Sequence, residues 1–448
     1  MKTIIIGAGC AGLTAAQTLL AAGEKDLVVL EERSTAGGRM VTYSENGYHI
    51  DMAAQLVHPG YIAAKQLIHD MGMDDELVVS SLGGLRMFNG KDLIIPAPTE
   101  SLPELGKTVA WMEEMGGPEN FGSFCAFVEE HVKGKMYEGS VDWFVDEWDD
   151  KGNFRDFVIE RWGEGVLKNF AEPIISAVGL CYPENAGIGF GLQIMWTVLA
   201  GEASLMKHGI GSLAQAVIDT CGDCIKTGVK VTRIVIKNGK VKGVETEKDG
   251  FIPAERVICA TPANHALKLL EDAPWIFKDA LAKVTYCPCI STLIMLDKSK
   301  FSFDGIGALY ERHLNSHFGV MSFKSPQSPQ SVPKGKEAIS CFVYEDGARE
   351  LWDKSQDEIA RAVIEDMEMA IPGISEAVEG WYSAKFPEAN YLMEEGTSTA
   401  VKDLRDNHYQ DVKGLFLCGE YMYTGSYESA INAGRRAAQV ALGQLESI

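Results

Sequence analysis

The sequence predicts an α/β protein, α+β over the whole chain, in which distant segments contribute strands to one sheet. Three observations support this class. A buried strand, a small-residue helix and a second apolar strand follow one another in residues 3–31. A strand that runs into a helix, residues 414–436, ends the chain. Between them, the dipeptide Asn238-Gly239 separates two apolar runs and indicates a β-hairpin.

The first unit carries glycines at the spacing of a nucleotide-binding turn. Gly7 permits the tight turn, Gly9 lets the backbone approach a pyrophosphate, and Gly12 allows close packing of helix and strand. Ala11 lies in the first turn of the helix, where free amides attract phosphate. Glu31 lies close to the ~20-residue offset at which a carboxylate binds a ribose 2′-hydroxyl. The unit therefore predicts a Rossmann-like dinucleotide site that repels a 2′-phosphate.

Length and charge exclude several classes of function. A chain of 448 residues is longer than one hydrophobic core usually serves, so we expect at least two domains. The net charge of −22 disfavours binding to nucleic acid. No apolar run approaches the ~18 residues of a transmembrane helix, and a first strand explains the apolar start better than a signal peptide does. We expect a cytoplasmic protein, with peripheral membrane contact left open.

The ten cysteines do not form a metal motif. Only Cys221 with Cys224 and Cys287 with Cys289 are close in sequence, and neither pair has partners at zinc spacing. A redox role for Cys221 and Cys224 is an alternative, but this pair ends a helical run rather than starting one. We expect reduced cysteines and no metal.

After Glu31, the residues Arg33, Gly37, Gly38 and Arg39 complete the pattern E-x-R-x-x-x-G-G-R. With this motif the sequence resembles the superfamily of flavin amine oxidases, protoporphyrinogen oxidases and carotenoid (phytoene) desaturases. The resemblance implies FAD in a domain of glutathione-reductase type that is discontinuous in sequence. The cofactor-binding residues that we infer are Gly7, Gly9, Ala11, Gly12, Glu31, Glu32, Gly38, Arg39, Ala54, Gln55, Leu56, Val231, Gly419, Glu420 and Tyr427.

Three segments of that set lie far apart in the chain. Residues 51–55 resemble the family pattern D-x-G-A-Q, except that Ala53 replaces the glycine. The strand that contains Val231 is where the family contacts adenine. Glu420 resembles the family acid near the ribityl–phosphate end, and the helix after it can place its positive N-terminus at the flavin pyrimidine.

The domain boundaries are inferred from changes in composition and in the pattern of helices and strands along the chain. Residues 1–85, 200–265 and 395–448 are expected to form the FAD-binding domain. Residues 86–199 are expected to form a helical insertion rich in aromatic side chains, without strands until about residue 230, and residues 266–394 a sheet-containing substrate domain. We expect an amphipathic helix in residues 61–75 that ends at Gly72, and a mobile surface loop over residues 325–336, which are rich in serine, proline and glutamine.

The reaction follows from the implied cofactor, because bound FAD accepts hydride and the protein supplies orientation and a dry pocket. No catalytic side chain is assigned; His58, Tyr391, Tyr423 and Tyr427 are weak candidates to face the substrate, and capping of the helix near Tyr61 is the favoured role for His58. Related monoamine oxidases carry a tethering cysteine and paired tyrosines. Here no cysteine lies between residues 341 and 418, and Ser426 stands at the second tyrosine, so non-covalent FAD is expected.

Three functions remain open from the sequence. The first is an oxidase or desaturase that takes hydride from carbon of a bulky apolar or polycyclic substrate, similar to a protoporphyrinogen oxidase, with dioxygen or a quinone-type compound as electron acceptor. The second is a flavin-containing amine oxidase. The third is a mutase, a double-bond isomerase or an FAD-binding scaffold. The looser resemblance of residues 158–184 to protoporphyrinogen oxidases favours the first, and the oligomeric state is not predicted.

Overall fold

The computed structural model describes residues 2–81, 84–96, 101–137 and 148–448. Trp143 and Phe144, two aromatic residues of the expected helical insertion, lie outside the described residues. The strands are β1 Thr3–Ile6, β2 Leu27–Glu31, β3 Thr42–Glu45, β4 Tyr48–Asp51, β5 Leu77–Ser81, β6 Leu85–Phe88, β7 Leu93–Ile94, β8 Glu202–Met206, β9 Ile225–Thr227, β10 Val231–Lys237, β11 Lys240–Thr246, β12 Gly250–Pro253, β13 Arg256–Cys259, β14 Thr285–Asp297, β15 Gly307–Tyr310, β16 Phe318–Phe323, β17 Lys336–Tyr344, β18 Val378–Leu392 and β19 Leu415–Leu417.

Fourteen α-helices connect these strands within the described ranges. They are α1 Cys10–Ala21, α2 Ile62–Asp70, α3 Leu102–Glu114, α4 Pro118–Tyr137, α5 Phe154–Val166, α6 Glu172–Ile174, α7 Ile188–Leu199, α8 Ile210–Cys221, α9 Ala263–Leu269, α10 Trp275–Ala282, α11 Glu345–Leu351, α12 Gln356–Ala370, α13 Thr397–Asp403 and α14 Tyr427–Ala441. Each helix of the described ranges is too short or too polar to cross a bilayer.

A parallel sheet of five strands in the order β19-β13-β1-β2-β9 confirms the predicted α/β class. Its central strand, β1, pairs with β2 at Ile4 and Val28 and with β13 at Ile4 and Val257. Ile4 and Ile5 are fully buried, as expected for the central strand of a parallel sheet, which is covered on both faces. The strands come from the start, the middle and the end of the chain, so the carboxyl ends of β1 and β19 meet at one edge.

The predicted hairpin is confirmed at Asn238 and Gly239. Both residues have positive φ angles, 54° and 66°, as a two-residue type I′ turn requires. The turn joins β10 to β11, and β12 completes a three-stranded antiparallel sheet. The expectation that no strand precedes residue 230 in this part of the chain is wrong, because β8 pairs with β5 and β9 joins the parallel sheet beside β2.

A second large sheet has seven strands in the order β18-β14-β17-β16-β15-β6-β7. Strand β6 pairs with β15. A short segment that precedes helices α3–α7, which we name the helical region, therefore joins this distant sheet. We propose that the domain boundary lies before β6 and that β6, β7, the helical region and residues 266–394 together face the substrate. Helix α2 ends at Asp70, two residues before Gly72, where its end is expected.

The expected surface loop over residues 325–336 is correct only in part. Pro326, Pro329, Gln330, Lys334 and Gly335 are exposed, whereas Ser325, Gln327, Ser328 and Ser331 are buried. The buried carboxylate of Glu337 accepts hydrogen bonds from the backbone and the hydroxyl of Ser325, and Nε2 of Gln327 donates to the hydroxyl of Ser322. The first half of this polar segment is therefore held against the protein by specific hydrogen bonds.

Candidate cofactor site

The turn between β1 and α1 is held by direct contacts between backbones. A Cβ atom added at Gly12 would lie 1.9 Å from the carbonyl oxygen of Gly7, and one at Gly38 would lie 2.9 Å from Cα of Gly9. At Gly9 itself, an added Cβ would meet only Cα of Gly38, at 4.0 Å. Backbone atoms are therefore packed tightly against Gly12 and Gly38, whereas the space next to Gly9 is free, as the approach of a pyrophosphate requires. Ala11 is buried where α1 meets α14.

Glu31, the predicted ribose ligand, closes the same turn from β2. Its carboxylate accepts hydrogen bonds from the backbone N–H of Ala8 at 2.7 Å and of Arg33 at 2.9 Å. A carboxylate offers about four acceptor positions, so hydroxyl donors can still bind. Glu31 is therefore both a structural link within the turn and a suitable acceptor for a ribose.

Glu32 and Val231 lie on the outer side of the same region. The Glu32 side chain is exposed, with its carboxylate 3.6 Å from Nζ of Lys230. Val231 begins β10 after the chain returns to β2, where the N–H of Val229 donates to the carbonyl of Glu31. Val231 thus follows two residues after the contact with Glu31, the predicted ribose ligand, whereas the Glu32 carboxylate is exposed.

The two ends of the chain meet in an ion pair between Arg39 and Glu420. Their side chains are 2.7 Å apart, and Nη1 of Arg39 donates to the carbonyls of Glu388 and Ala389 at 3.1 and 3.2 Å. Burial lowers the pKa of Arg39, but the charge and hydrogen bond of Glu420 outweigh it and leave that pKa above its usual value. Glu420 is 5% exposed, follows Gly419 directly, and within the described structure its Oε1 is buried without a partner.

The loop of residues 51–56, which we name the cofactor loop, runs from this ion pair to α14. The N–H of Ala54 donates to the carbonyl of Arg39, and Nε2 of Gln55 donates to the carbonyl of Asp51. At the other end, the hydroxyl of Tyr427 donates to the carbonyl of Leu56 at 2.9 Å. The structure therefore brings the predicted residues of the loop next to both predicted ends of the flavin site.

Asp51 anchors that loop to the cofactor domain. Its Oδ1 accepts hydrogen bonds from the hydroxyl of Thr42 at 2.6 Å and from the N–H of Ile210, at the start of α8, at 2.8 Å. Burial raises the pKa of Asp51 to about 7, although these two hydrogen bonds oppose the rise. The cofactor loop thus begins at a buried acid whose ionised form is destabilised by burial.

Helix α14 begins directly after the carboxy-terminal motif. Its N-cap is Ser426, whose hydroxyl accepts from the N–H of Ser429. The buried carboxylate of Glu428 accepts from the N–H groups of Ala63 and Ala64, both at 2.7 Å, and so caps α2. The expectation that His58 caps α2 is wrong, because its Nδ1 accepts from Gly60 instead.

The four weak substrate-facing candidates occupy different surroundings. Tyr391 is fully buried, with its ring 6.4 Å from that of Tyr286. Tyr427 is tied to the cofactor loop, whereas the ring of Tyr423 lies 4.8 Å from the guanidinium of Arg405. Burial, with a smaller effect of Lys65, lowers the pKa of His58 to about 4, so its imidazole is neutral at pH 7. Tyr427 is joined to the predicted flavin surroundings through its hydroxyl, and Tyr423 through its backbone N–H, which donates to the carbonyl of Glu420 at 3.0 Å.

Two residues of the site are missing from the sequence prediction. Lys324, next to β16, donates to Oε1 of Gln55 at 2.9 Å. Glu428 links α14 to α2, as described above. No spacing rule connects residues this far apart, and the only sequence signal for Lys324 is a lone lysine between an apolar strand and a serine-rich stretch.

Comparison with known proteins identifies the class. The family described as flavin containing amine oxidoreductase matches residues 10–442, so the chain belongs to this family. A coproporphyrinogen III oxidase of Bacillus subtilis (strain 168) is 21% identical over 99% of this chain and 98% of its own.

Solved structures agree on the fold. A chain ascribed to a protoporphyrinogen oxidase from Exiguobacterium sp. 255-15 aligns over 99% of both chains with a TM-score of 0.77 and 17% identity. A fatty acid isomerase from P. acnes that produces CLA aligns over 98% of both chains, with a TM-score of 0.71 and 16% identity.

The family establishes a flavin-dependent oxidoreductase with FAD as cofactor. The residues in this chain fit that cofactor in three respects. The space in front of Gly9 is open, the acceptor capacity of Glu31 is not exhausted, and Oε1 of Glu420 is a buried acceptor that lacks a donor within the described structure. When bound, FAD supplies the hydride acceptor, and the chain supplies binding, orientation and exclusion of water.

Proposed function

We propose that this protein is an FAD-dependent oxidase or desaturase that removes hydride from carbon of a bulky apolar substrate, of the porphyrinogen type. The observation that carries the proposal is similarity over nearly the full length of both chains to a coproporphyrinogen III oxidase. The cofactor residues described above would hold FAD, with Arg39 and Glu420 between the phosphates and the ribityl chain, and Gln55, Leu56 and Tyr427 beside the flavin ring.

One exposed apolar side chain near the end of β18 supports a bulky apolar substrate. The π-helical segment Ile175–Gly179 is buried except at Val178, which is 36% exposed. Nδ2 of Asn390 donates to the carbonyl of Gly179 at 2.9 Å and fixes this segment beside the end of β18. We therefore assign Val178 to the substrate wall, whereas Tyr391, the residue after Asn390, is fully buried and is not assigned to it.

The aromatic residues of the helical region have a different role. Trp111, Phe121 and Phe170 pack with ring centroids 4.8–6.2 Å apart, and Phe124 and Trp162 lie against each other at 5.2 Å. Rings at these distances stabilise one another. They form the core of the helical region, which supports the substrate wall from behind.

Non-covalent FAD is supported by the state of two thiols beside predicted cofactor residues. Burial raises the pKa of Cys10, whose thiol donates to the carbonyl of Tyr427, and raises the pKa of Cys418, directly before Gly419, well above its usual value. A covalent link to flavin requires a reactive thiolate, and neither cysteine provides one at neutral pH. Acid precipitation is therefore expected to release all of the FAD into the supernatant.

The substrate is tested by anaerobic mixing of the FAD-loaded protein with a porphyrinogen, a polyene and a panel of amines. Porphyrinogen is expected to bleach the flavin absorbance, and admission of oxygen or a quinone restores it. A sharper test uses Val178→Asp, which is expected to raise the KM for porphyrinogen by tenfold or more because a charge enters an apolar wall. Val109→Asp is the control, since Val109 is also exposed but lies on α3; equal effects of both variants would contradict the assignment of the wall.

Two other outcomes would replace this proposal. Bleaching by amines alone, followed by release of peroxide when oxygen is admitted, would identify an amine oxidase, which is the activity that the family description mentions. Conversion of an unsaturated fatty acid without net electron transfer would identify an isomerase. The fold comparison with a fatty acid isomerase makes an unsaturated acid a necessary member of the substrate panel.

A further inference from the structure

Lys324 is a buried cation in contact with the cofactor loop. It is 6% exposed, and its ammonium donates to Oε1 of Gln55 at 2.9 Å and to the hydroxyl of Ser322 at 3.3 Å. Gln55 in turn donates to the carbonyl of Asp51 at 2.8 Å. A lysine directly after β16 of the seven-stranded sheet thus holds the side chain of Gln55 in the cofactor loop.

The nearby acids are bound to other groups. The carboxylate of Asp51, at the end of β4, accepts hydrogen bonds from the hydroxyl of Thr42 and from the first N–H of α8. Glu337, on β17, accepts from the backbone N–H of Lys324 and of Ser325. Within the described residues, no carboxylate lies within 4.0 Å of the ammonium group of Lys324.

A buried ammonium without an ion pair is costly, because hydrogen bonds to neutral groups replace only part of its hydration. Burial accordingly lowers the pKa of Lys324 to about 8, against the opposing effects of Asp51, Cys341 and Glu337. The thiol of Cys341 is neutral, since burial raises its pKa well above the usual value. An apolar residue of the same length would remove this cost, so the charge points to a functional role.

The position of Lys324 indicates that role. The cofactor loop is bonded to Arg39, which we place toward the phosphates and the ribityl chain, and to Tyr427, which we place beside the flavin ring. Reduction adds negative charge to a flavin, and a cation in a low-dielectric region favours that change over several ångströms.

We infer that Lys324 is a positioning residue of the flavin site, which orients Gln55 and supplies positive charge that makes the bound FAD easier to reduce. The inference rests on FAD binding at the family site and is independent of the porphyrinogen assignment. It can therefore fail or succeed without any substrate having been identified.

The test measures the FAD reduction potential by equilibration with a reference dye during slow chemical reduction, from pH 6 to pH 10, on FAD-loaded proteins. In the native chain the potential is expected to bend near pH 8, where Lys324 loses its proton. At pH 7, Lys324→Met is expected to shift the equilibrium tenfold toward oxidised FAD, which is about 30 mV for a two-electron couple, and to abolish the bend.

Lys324→Arg provides a second, independent outcome, because a guanidinium stays charged throughout this pH range. It is expected to keep the potential high at pH 9, where that of the native chain has fallen. Lys336→Met is the matched control: it removes a cation from β17 whose ammonium is bonded to Glu379 and partly exposed, and is expected to leave the potential unchanged.

A merely structural lysine would give a different pattern. In that case Lys324→Met would lower the melting temperature and leave the potential equal to that of the native chain, which would overturn the inference. If Lys324→Met does not retain FAD, the arginine variant decides: a bend near pH 8 that persists in Lys324→Arg would likewise overturn it.

Discussion

In the cofactor region, contacts between backbone atoms set the geometry, whereas in the helical region aromatic rings do. The gap between Gly12 and Gly7 leaves no room for a methyl group. In the helical region, rings such as those of Trp111 and Phe121 touch at their edges, 5.7 Å between centroids. A core of side chains can repack after a substitution that keeps volume, but a backbone contact cannot. The same substitution is therefore expected to have opposite effects on stability in the two regions.

A glycine from each region gives the strongest contrast. Gly12→Ala is expected to abolish FAD binding and to destabilise the fold by roughly 3 kcal/mol or more, because the added Cβ would lie 1.9 Å from a backbone oxygen. Gly106→Ala, within α3, meets no atom within 4 Å and is expected to stabilise the fold by up to ~1 kcal/mol through helix propensity.

Urea denaturation of both variants, together with FAD titration by flavin fluorescence, checks this pair. If Gly12→Ala bound FAD as the native chain does, the turn between β1 and α1 would not be the phosphate site. If Gly106→Ala were strongly destabilising, the helical region would be as intolerant as the cofactor region, and the contrast would disappear.

The same contrast explains which parts of the site could be predicted from the sequence. Gly7, Gly9, Gly12 and Glu31 stand in one βαβ unit, so their order along the chain fixes their relation in space. The meeting of Arg39 with Glu420 follows once both motifs are assigned to one parallel sheet, because the ends of parallel strands share an edge. Their roles toward FAD stay predictions.

Contacts without such a unit could not be predicted. Lys324 and Gln55 are 269 residues apart, and Glu428 and Ala63 are 365 apart. Each joins elements whose relative placement depends on packing of whole domains, for which no local pattern exists. Composition predicts that the polar stretch after Lys324 is exposed, whereas the burial of Ser325 within it depends on a specific acceptor, Glu337 on the following strand.

The ion pair between Arg39 and Glu420 offers a second comparison. Glu420→Gln leaves Arg39 buried beside a neutral group, and the affinity for FAD is expected to fall 10- to 100-fold because the charge-assisted contact is lost in a desolvated place. Glu164→Gln, which breaks the solvent-exposed pair of Glu164 with Lys168 on the helical side, is expected to change neither FAD affinity nor stability measurably.

Isothermal titration of the FAD-free proteins with FAD distinguishes the two cases. A Glu420→Gln variant with native affinity would mean that the two chain ends meet for structural reasons only. Loss of affinity in both variants would point to a general effect of acidic residues rather than to this pair.

The smallest expected difference concerns two helix caps of similar strength. Glu428→Gln keeps one acceptor for the N–H groups of Ala63 and Ala64 and is expected to cost about 1 kcal/mol of stability. Ser355→Ala removes the capping box of α12 on the substrate side and is expected to lower the melting temperature comparably. Only Glu428→Gln is expected to weaken FAD binding, by a few-fold, because its neighbour Tyr427 holds the cofactor loop at Leu56.

Melting temperature and FAD affinity, measured on both cap variants, separate stability from cofactor binding. A few-fold loss in Glu428→Gln alone would mean that the contact between α14 and α2 transmits strain to the cofactor loop. Equal FAD affinities despite equal losses of stability would confine Glu428 to a structural role, because a cap that merely holds two helices together acts on folding and leaves the loop at Leu56 undisturbed.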